Sequence, residues 1–292
     1  MMVAPTEFRL LGPFGVAVKG ELIKEQLTGP AKELLLYLLT HDAPQHSRSA
    51  LPANVWDDER TPSRAAFNTT LWRLKRFIKL LPGVDLHCGG DTIGLTLHPR
   101  CSVDVWSLRR AVSFLDAPLA QPVSENAIAA LLGAAQMWRG PFQDGGDAHW
   151  ALVVREALQM NYLRALQALM RHALECENHD CALAYGQRVL AEDPFRESVH
   201  CEVLWLLVLT GQRARAIRMH ARLTDLLRKE LGIGPMAETQ AVFEYIRDGL
   251  EAPADPVEPP HVALPLDRLV ARVERSRASM DAAVRAAGRP SA

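Results

Sequence analysis

Residues 61–81, TPSRAAFNTTLWRLKRFIKLL, constrain this chain more than any other stretch. Thr61 has the side chain of a helix N-cap, and Pro62 suits the first helical position, where its missing N–H costs nothing. Phe67, Leu71, Leu74 and Ile78 recur at i, i+4, i+7 and i+11, which makes a single apolar stripe. The opposite side carries Asn68, Thr69, Trp72, Arg73, Lys75, Arg76 and Lys79, and no acidic residue lies between Pro62 and Leu81. Such a helix buries one face and turns a basic, hydrogen-bonding face outward. One reading is a solvated helix face that happens to be basic. The other is a recognition helix in a DNA major groove, where Arg and Lys neutralise phosphates or fork onto guanine and Asn pairs with adenine. Trp72 favours the second, because a merely solvated helix rarely places a large aromatic there unless the wing or a neighbouring domain covers it.

The rest of the chain sets bounds on both readings. At 292 residues the expectation is two domains, each with enough chain to bury a core. The net charge of −1 is uninformative about partners. The charge is unevenly placed, though, with the basic cluster preceded by Asp57-Asp58-Glu59, and a local basic patch suffices for nucleic acid. The start, MMVAPTEFRLLG, lacks a basic segment followed by an apolar core, so no signal peptide is expected. No apolar run approaches the roughly 18 residues of a membrane span. Five cysteines without a CxxC pair fit reduced thiols in a cytoplasm.

Before residue 61, Phe8–Gly12 and Val16–Lys19 read as short strands around Gly12-Pro13, followed by Glu21-Leu22-Ile23. Thr28-Gly29-Pro30 opens a helix with Leu34, Leu35, Leu38 and Leu39 on its apolar face. A second short helix is expected over Ser49–Asp57, with Leu51, Val55 and Trp56 in the core and Pro52 tolerated in its first turn. After residue 81, Pro82-Gly83 stops the third helix. Two strands, Asp85–Cys88 and Thr92–Leu97, then flank Gly89-Gly90-Asp91, a hairpin signature. Strands, three helices and a C-terminal hairpin are the parts of a winged helix with an extra N-terminal sheet. In that fold the third helix enters the major groove and the hairpin tip reaches the adjacent backbone or minor groove.

From residue 103 the pattern is helical. Asp104 is placed to cap a segment running to Ala117, and Glu125–Trp138 reads as another helix. A loop, WRGPFQDG, follows. Trp150, Val154, Leu158, Tyr162, Leu166, Leu169 and Ala173 then mark a long helix over 148–176. Shorter helices are predicted at 181–192, 197–210, 214–231 and 238–250. Ala182 matches Ala216, Leu190 matches Thr224 and Leu169 matches Val203, close to the 34-residue period of tetratricopeptide repeats. Helix pairs that cannot bury their faces alone argue for a stacked solenoid with a groove.

Several runs together resemble a known family. FRLLGPFGV, KELLLYLL, the Leu51/Val55/Trp56 set, the Asn68–Arg76 helix and SVDVW at 102–106 are similar to the amino-terminal domain of SARP-type (bacterial transcriptional activator domain) regulators, which carry an OmpR-like winged helix. Further on, WRGPFQDG, the pair Trp150 and Arg155, DPFRE at 193–197, TGQ at 210–212 and ELGIGP at 230–235 resemble that family's landmarks in the same order. The resemblance covers residues 6–250. Two departures stand out: Glu33 where relatives often carry Arg or Lys, and a hairpin tip with no basic residue. As local structure, Gly232 and Gly234 suit helix C-caps and Pro194 a helix start, so these landmarks mark a fold and not a site.

The expectation is therefore a mainly α protein with a small β part. An OmpR-like winged helix occupies 1–102, a tetratricopeptide-like bacterial transcriptional activator domain 103–250, and a Pro-rich linker with an amphipathic tail 251–292. The expected function is a sequence-specific transcriptional regulator, an activator that binds promoter repeats. Asn68, Thr69, Trp72 and Arg73 would read base edges, and Arg64, Lys75, Arg76 and Lys79 would anchor to phosphate, with Thr92 contributing from the hairpin. The resemblance implies double-stranded DNA and RNA polymerase (its sigma or alpha subunit) as partners and a homodimer on DNA. The location expected is cytoplasmic and nucleoid-associated, away from membranes. His172 and Cys176, with His179 and Cys181 close by, have the spacing to share a metal, but a helix end with polar residues and core cysteines explains them as well, and no metal ligand is assigned. No phosphate loop or Gly-x-Ser-x-Gly elbow occurs, so no catalytic residue, cofactor or enzymatic activity is expected. The rival class is an interaction scaffold whose winged helix does not read DNA.

Overall fold

The structure is a computed structural model that describes residues 5–25, 27–41, 43–57, 60–116, 124–143, 146 and 148–248. They form two compact units divided between Glu192 and Asp193. The tail predicted over 251–292 lies outside the described residues.

The first unit opens with β1 (Thr6–Arg9), β2 (Gly15–Val18) and β3 (Glu21–Leu22), joined as antiparallel neighbours. Thr6 and Phe8 point inward with the two-residue period of a half-buried strand. A late strand, β7 (Ser102–Val103), returns parallel to β1 and completes the sheet in the order β3-β2-β1-β7. Helix α1 (Gly29–Thr40) starts at the predicted Gly-Pro and buries Leu34, Leu35, Leu38 and Leu39. Helix α2 (Leu51–Val55) is shorter than the 49–57 pattern, but Leu51, Val55 and Trp56 are all core.

Helix α3 (Arg64–Ile78) buries the predicted stripe of Phe67, Leu71, Leu74 and Ile78, together with Thr70 and Phe77. Its start differs from the sequence reading. Ser63 is the N-cap, its Oγ accepting from the Ala66 amide at 3.3 Å, whereas the Thr61 hydroxyl donates back to the Trp56 and Asp57 carbonyls at 3.3 and 3.2 Å. A Thr two residues ahead of a Ser cannot hold the cap once Pro62 lies between them in the approach to the helix. The hairpin is β5 (Val84–Gly89) and β6 (Thr92–Leu97), turning at Gly90 with φ +56°, a left-handed conformation that suits glycine. A third strand, β4 (His46–Ser47), adds to β6; two residues are too few to show a period, so nothing in the local pattern announces it.

Helices α4 (Asp104–Ser113), α5 (Glu125–Met137), α6 (His149–Glu175) and α7 (His179–Glu192) continue the first unit. The second unit holds α8 (Glu197–Leu209), α9 (Arg213–Leu231) and α10 (Ala237–Asp248). The internal repeat reappears as burial. Of the matched pairs, Leu169 and Val203 and Ala182 and Ala216 are buried while Leu190 and Thr224 are half-buried. Ala173 and Leu207, and Val189 and Leu223, are buried at the same spacing, so the α6–α7 and α8–α9 pairs share a register. Cys176 and Cys181 are exposed and do not belong to the core.

Packing is continuous across residues 102–103 because α4 and the loop after α5 close over the winged helix. Asp104 is not a helix cap in the expected sense; it sits at the first helical position, 6% exposed, and collects donors from three places. The Leu10 and Leu11 amides bind its carboxylate at 2.9 and 3.1 Å, the Val105 amide at 2.9 Å, and Arg139 Nη2 at 2.7 Å. Burial pushes the carboxyl above the usual carboxylate range, while the Leu11 and Leu10 amides and Arg139 pull it back. The unsatisfied carbonyls at helix ends are met from the same side. Trp106 Nε1 donates to Leu39 O at 2.7 Å and Arg109 to Thr40 O at 2.8 Å, closing α1, and Trp150 Nε1 donates to Val55 O at 2.9 Å, closing α2. Gly12 allows the contact: at φ +107° a Cβ there would lie 2.9 Å from the Arg139 backbone. Asp104→Ala leaves two buried amides and Arg139 without their acceptor, and the expected loss is about 3 kcal/mol of unfolding free energy by denaturant titration.

The second unit buries His200 and His220. His200 Nε2 donates to Pro194 O at 2.9 Å, and the His220 ring stacks on Phe243 with centroids 3.9 Å apart. Desolvation lowers the pKa of both below the ordinary histidine value. For His200 this outweighs the Pro194 carbonyl and Glu197; for His220 it outweighs Glu197 and is reinforced by His200. The unfolded chain therefore binds more protons than the folded one as pH falls below that ordinary value. Stability is complete above it and declines below it. Thermal melts at about pH 8 and about pH 5 should show the loss, and a His200→Leu/His220→Phe variant should flatten it.

Candidate nucleic-acid interface

The outward face of α3 carries every residue expected there. Arg64, Asn68, Thr69, Trp72, Arg73, Lys75, Arg76 and Lys79 are all exposed. Thr69, Trp72 and Arg76 follow one another at i, i+3 and i+7, so they form the midline of the face opposite Leu71 and Leu74. Among the described residues none of the five Arg and Lys side chains on this face has an ion-pair partner. Trp72 is 60% exposed; among the described residues of the first unit neither the hairpin nor the helices after it cover it. The Arg76 guanidinium lies 5.8 Å from the Trp72 ring centroid, a cation–π distance that holds both side chains on the midline.

Two hydroxyls are partly committed. Thr69 donates to Ala65 O at 3.1 Å and Thr92 to Gly89 O at 3.2 Å, which leaves their oxygens free to accept. Thr92 is exposed where β6 begins, beside the hairpin turn. Asn68 is not free. Its Oδ1 accepts from Arg48 Nη2 at 3.0 Å, and the Arg48 amide donates to Asp91 O in the hairpin turn at 2.7 Å. Arg48 thus links the hairpin tip, β4 and α3, and adds a cation to the face. Sequence reasoning missed it because a lone Arg between two serines carries no periodic signal; only the pairing of β4 with β6 brings it to α3. Glu33, the departure noted above, accepts from Trp56 Nε1 at 2.5 Å, so its carboxylate is occupied in packing.

Elsewhere, Cys176 Sγ lies 3.7 Å from His172 Nε2, the expected i, i+4 approach. Among the described residues no three His, Cys, Asp or Glu side chains gather as a metal site. No helix among them is long and apolar enough to cross a membrane.

Three helices with a hairpin after the third, an exposed basic third helix, and helix pairs later in the chain define a winged helix-turn-helix protein with a tetratricopeptide-like helical part. Residues 103–247 match the family model of the bacterial transcriptional activator domain. A bacterial transcriptional activator domain thus occupies residues 103–247, and the chain is similar to transcriptional regulators of the SARP type. It is 26% identical over 289 residues to the transcriptional regulatory protein MoaR1 of Mycobacterium tuberculosis, covering 94% of this chain and 85% of that protein. MoaR1 of Mycobacterium bovis matches to the same extent, 26% over 289 residues. The fold is also that of a solved structure, Mycobacterium tuberculosis EmbR in complex with a low-affinity phosphopeptide. The TM-score is 0.59 at 22% identity, over 86% of this chain and 66% of that one.

The geometry separates residues that hold α3 from residues it displays. Trp72→Ala is expected to change unfolding free energy by less than about 0.5 kcal/mol, since the ring rests on little besides Arg76. Leu74→Ala, at a fully buried position, should cost about 3 kcal/mol in the same titration.

Proposed function

We propose that this transcriptional regulator reads DNA through α3 and acts as an activator. The observation that carries this reading is the exposed α3 face: unpaired cations, an amide and an uncovered tryptophan in one patch, with no carboxylate among them. In this mechanism residues 1–102 bind the duplex and residues 103–250 serve assembly. Asn68, Thr69, Trp72 and Arg73 contact base edges in the major groove. Arg64, Lys75, Arg76 and Lys79 neutralise phosphates on either side, and Arg48 and Thr92 extend the contact toward the hairpin. Trp72 offers apolar surface to a thymine methyl group. A second copy occupies an adjacent promoter repeat, and the helical part holds RNA polymerase through its sigma or alpha subunit. The protein then works in the cytoplasm at the nucleoid.

The test is selection of duplexes from a random DNA pool by the full chain, beside an Arg73→Glu/Arg76→Glu variant. A repeated motif enriched by the wild type and lost in the variant supports the reading. No enrichment at low salt by folded protein overturns it and favours a protein-interaction scaffold. On the selected duplex, Arg76→Ala should weaken binding and reduce the slope of log K against log salt by about one, the signature of a lost phosphate contact.

A further inference from the structure

A cleft of about 450 Å³ opens in the first unit between the turn after β1, the start of α1 and the 139–143 loop. Its size is that of small-molecule pockets, roughly 300–1,000 Å³. Pro13, Phe14 and Pro141 supply accessible apolar wall, with Leu10, Leu36 and Phe142 buried behind it. Lys32 and Arg139 are the charged residues of the lining, and among the described residues no carboxylate is part of it. Lys32 is partly buried and has no hydrogen-bond or ion-pair partner among the described residues. Arg139 gives Nη2 to Asp104, and its Nε and Nη1 have no partner among them.

The charge of Arg139 is already balanced by Asp104, so Lys32 is the cation of the lining without a counter-ion among the described residues. A bound anion would supply one while using the free Nε and Nη1 of Arg139. The cleft is also built in advance. The Arg155 guanidinium donates to Phe142 O at 2.8 Å, to Gly146 O at 2.9 Å and to Gln143 O, so the loop that forms one wall is fixed from behind. The bond from the Arg139 amide to Leu11 O at 3.1 Å fixes that wall to the turn after β1.

We propose that this cleft is a binding site for a small organic anion, an apolar body carrying a carboxylate or a phosphate that Lys32 and Arg139 clamp. Such an occupant bridges α1, on which α3 packs, to the loop that Asp104 holds. It therefore braces the helix beneath the exposed basic face, which gives the regulator an effector site within its first unit.

The test uses the full chain without DNA, so its outcome is independent of the reading of α3. Phenylacetate and phenyl phosphate, with neutral phenylacetamide and inorganic phosphate as comparison probes, are titrated at low salt by calorimetry. The expected result is a dissociation constant of about 1 mM or tighter for at least one aryl anion, weakened about tenfold or more for phenylacetamide and for inorganic phosphate. Lys32→Met, which keeps the apolar stem, should weaken the aryl anion about tenfold, and Lys32→Arg should restore it. Amide resonances of the labelled wild-type chain should shift at residues 10–14 and 139–143. No binding of either aryl anion below about 10 mM, equal binding by Lys32→Met, equal binding of inorganic phosphate, or shifts confined to other residues would each overturn the proposal.

Discussion

The first unit depends on the carboxylate of Asp104. Four donors from three separated segments converge on it: the amides that follow β1, the first turn of α4, and Arg139 in the loop after α5. A buried carboxylate is costly unless its lone pairs are met, and here they are met by groups that would themselves be orphaned without it. The winged helix is therefore not a bead on a flexible string. Its sheet, the ends of α1 and α2, and the first helices of the bacterial transcriptional activator domain share one set of hydrogen bonds.

That arrangement sets the surroundings of α3. Its apolar side rests on α1, whose own C-terminal carbonyls are closed by Trp106 and Arg109 of α4. Its polar side is left uncovered, with Trp72 exposed and the cations unpaired. A side chain that gives nothing to folding and is displayed on a rigid support is available for recognition, and this is why the proposed reading of DNA falls on α3. Arg48 carries the hairpin into the same surface, so the spacing between tip and helix is set by two hydrogen bonds and not by loop length. The cleft beside Lys32 also borders α1, and the same loop that meets Asp104 forms its wall.

Legibility in the sequence followed periodicity. Long elements with a clear stripe, α1, α3, α6 and α9, were readable to within a few residues, as were the hairpin strands on either side of Gly89-Gly90-Asp91. The outward set on α3 was readable for the same reason, since a helix with one apolar face leaves no choice about what faces out. What escaped had no period or acted at long range. Strand β4 is two residues long, and Arg48 reaches Asn68 only through it. The cap moved from Thr61 to Ser63 because two capping residues within three positions are separated by local geometry alone. The WRGPF loop read as a connector, although Arg139 and Phe142 are where the helical part meets the sheet.

By itself the sequence determined the element types, the 34-residue register shared by the two helix pairs and the basic face of α3. Each follows from local patterning, in which side chains three or four apart share a face and acidic residues are missing from a defined stretch. Only the tertiary structure decided that Trp72 stays uncovered, that Asp104 serves the sheet as much as its own helix, and that Lys32 and Arg139 border one cleft. Those outcomes depend on which distant segments meet, and the free energy that selects them comes from satisfying buried donors and acceptors across separations that no local pattern encodes.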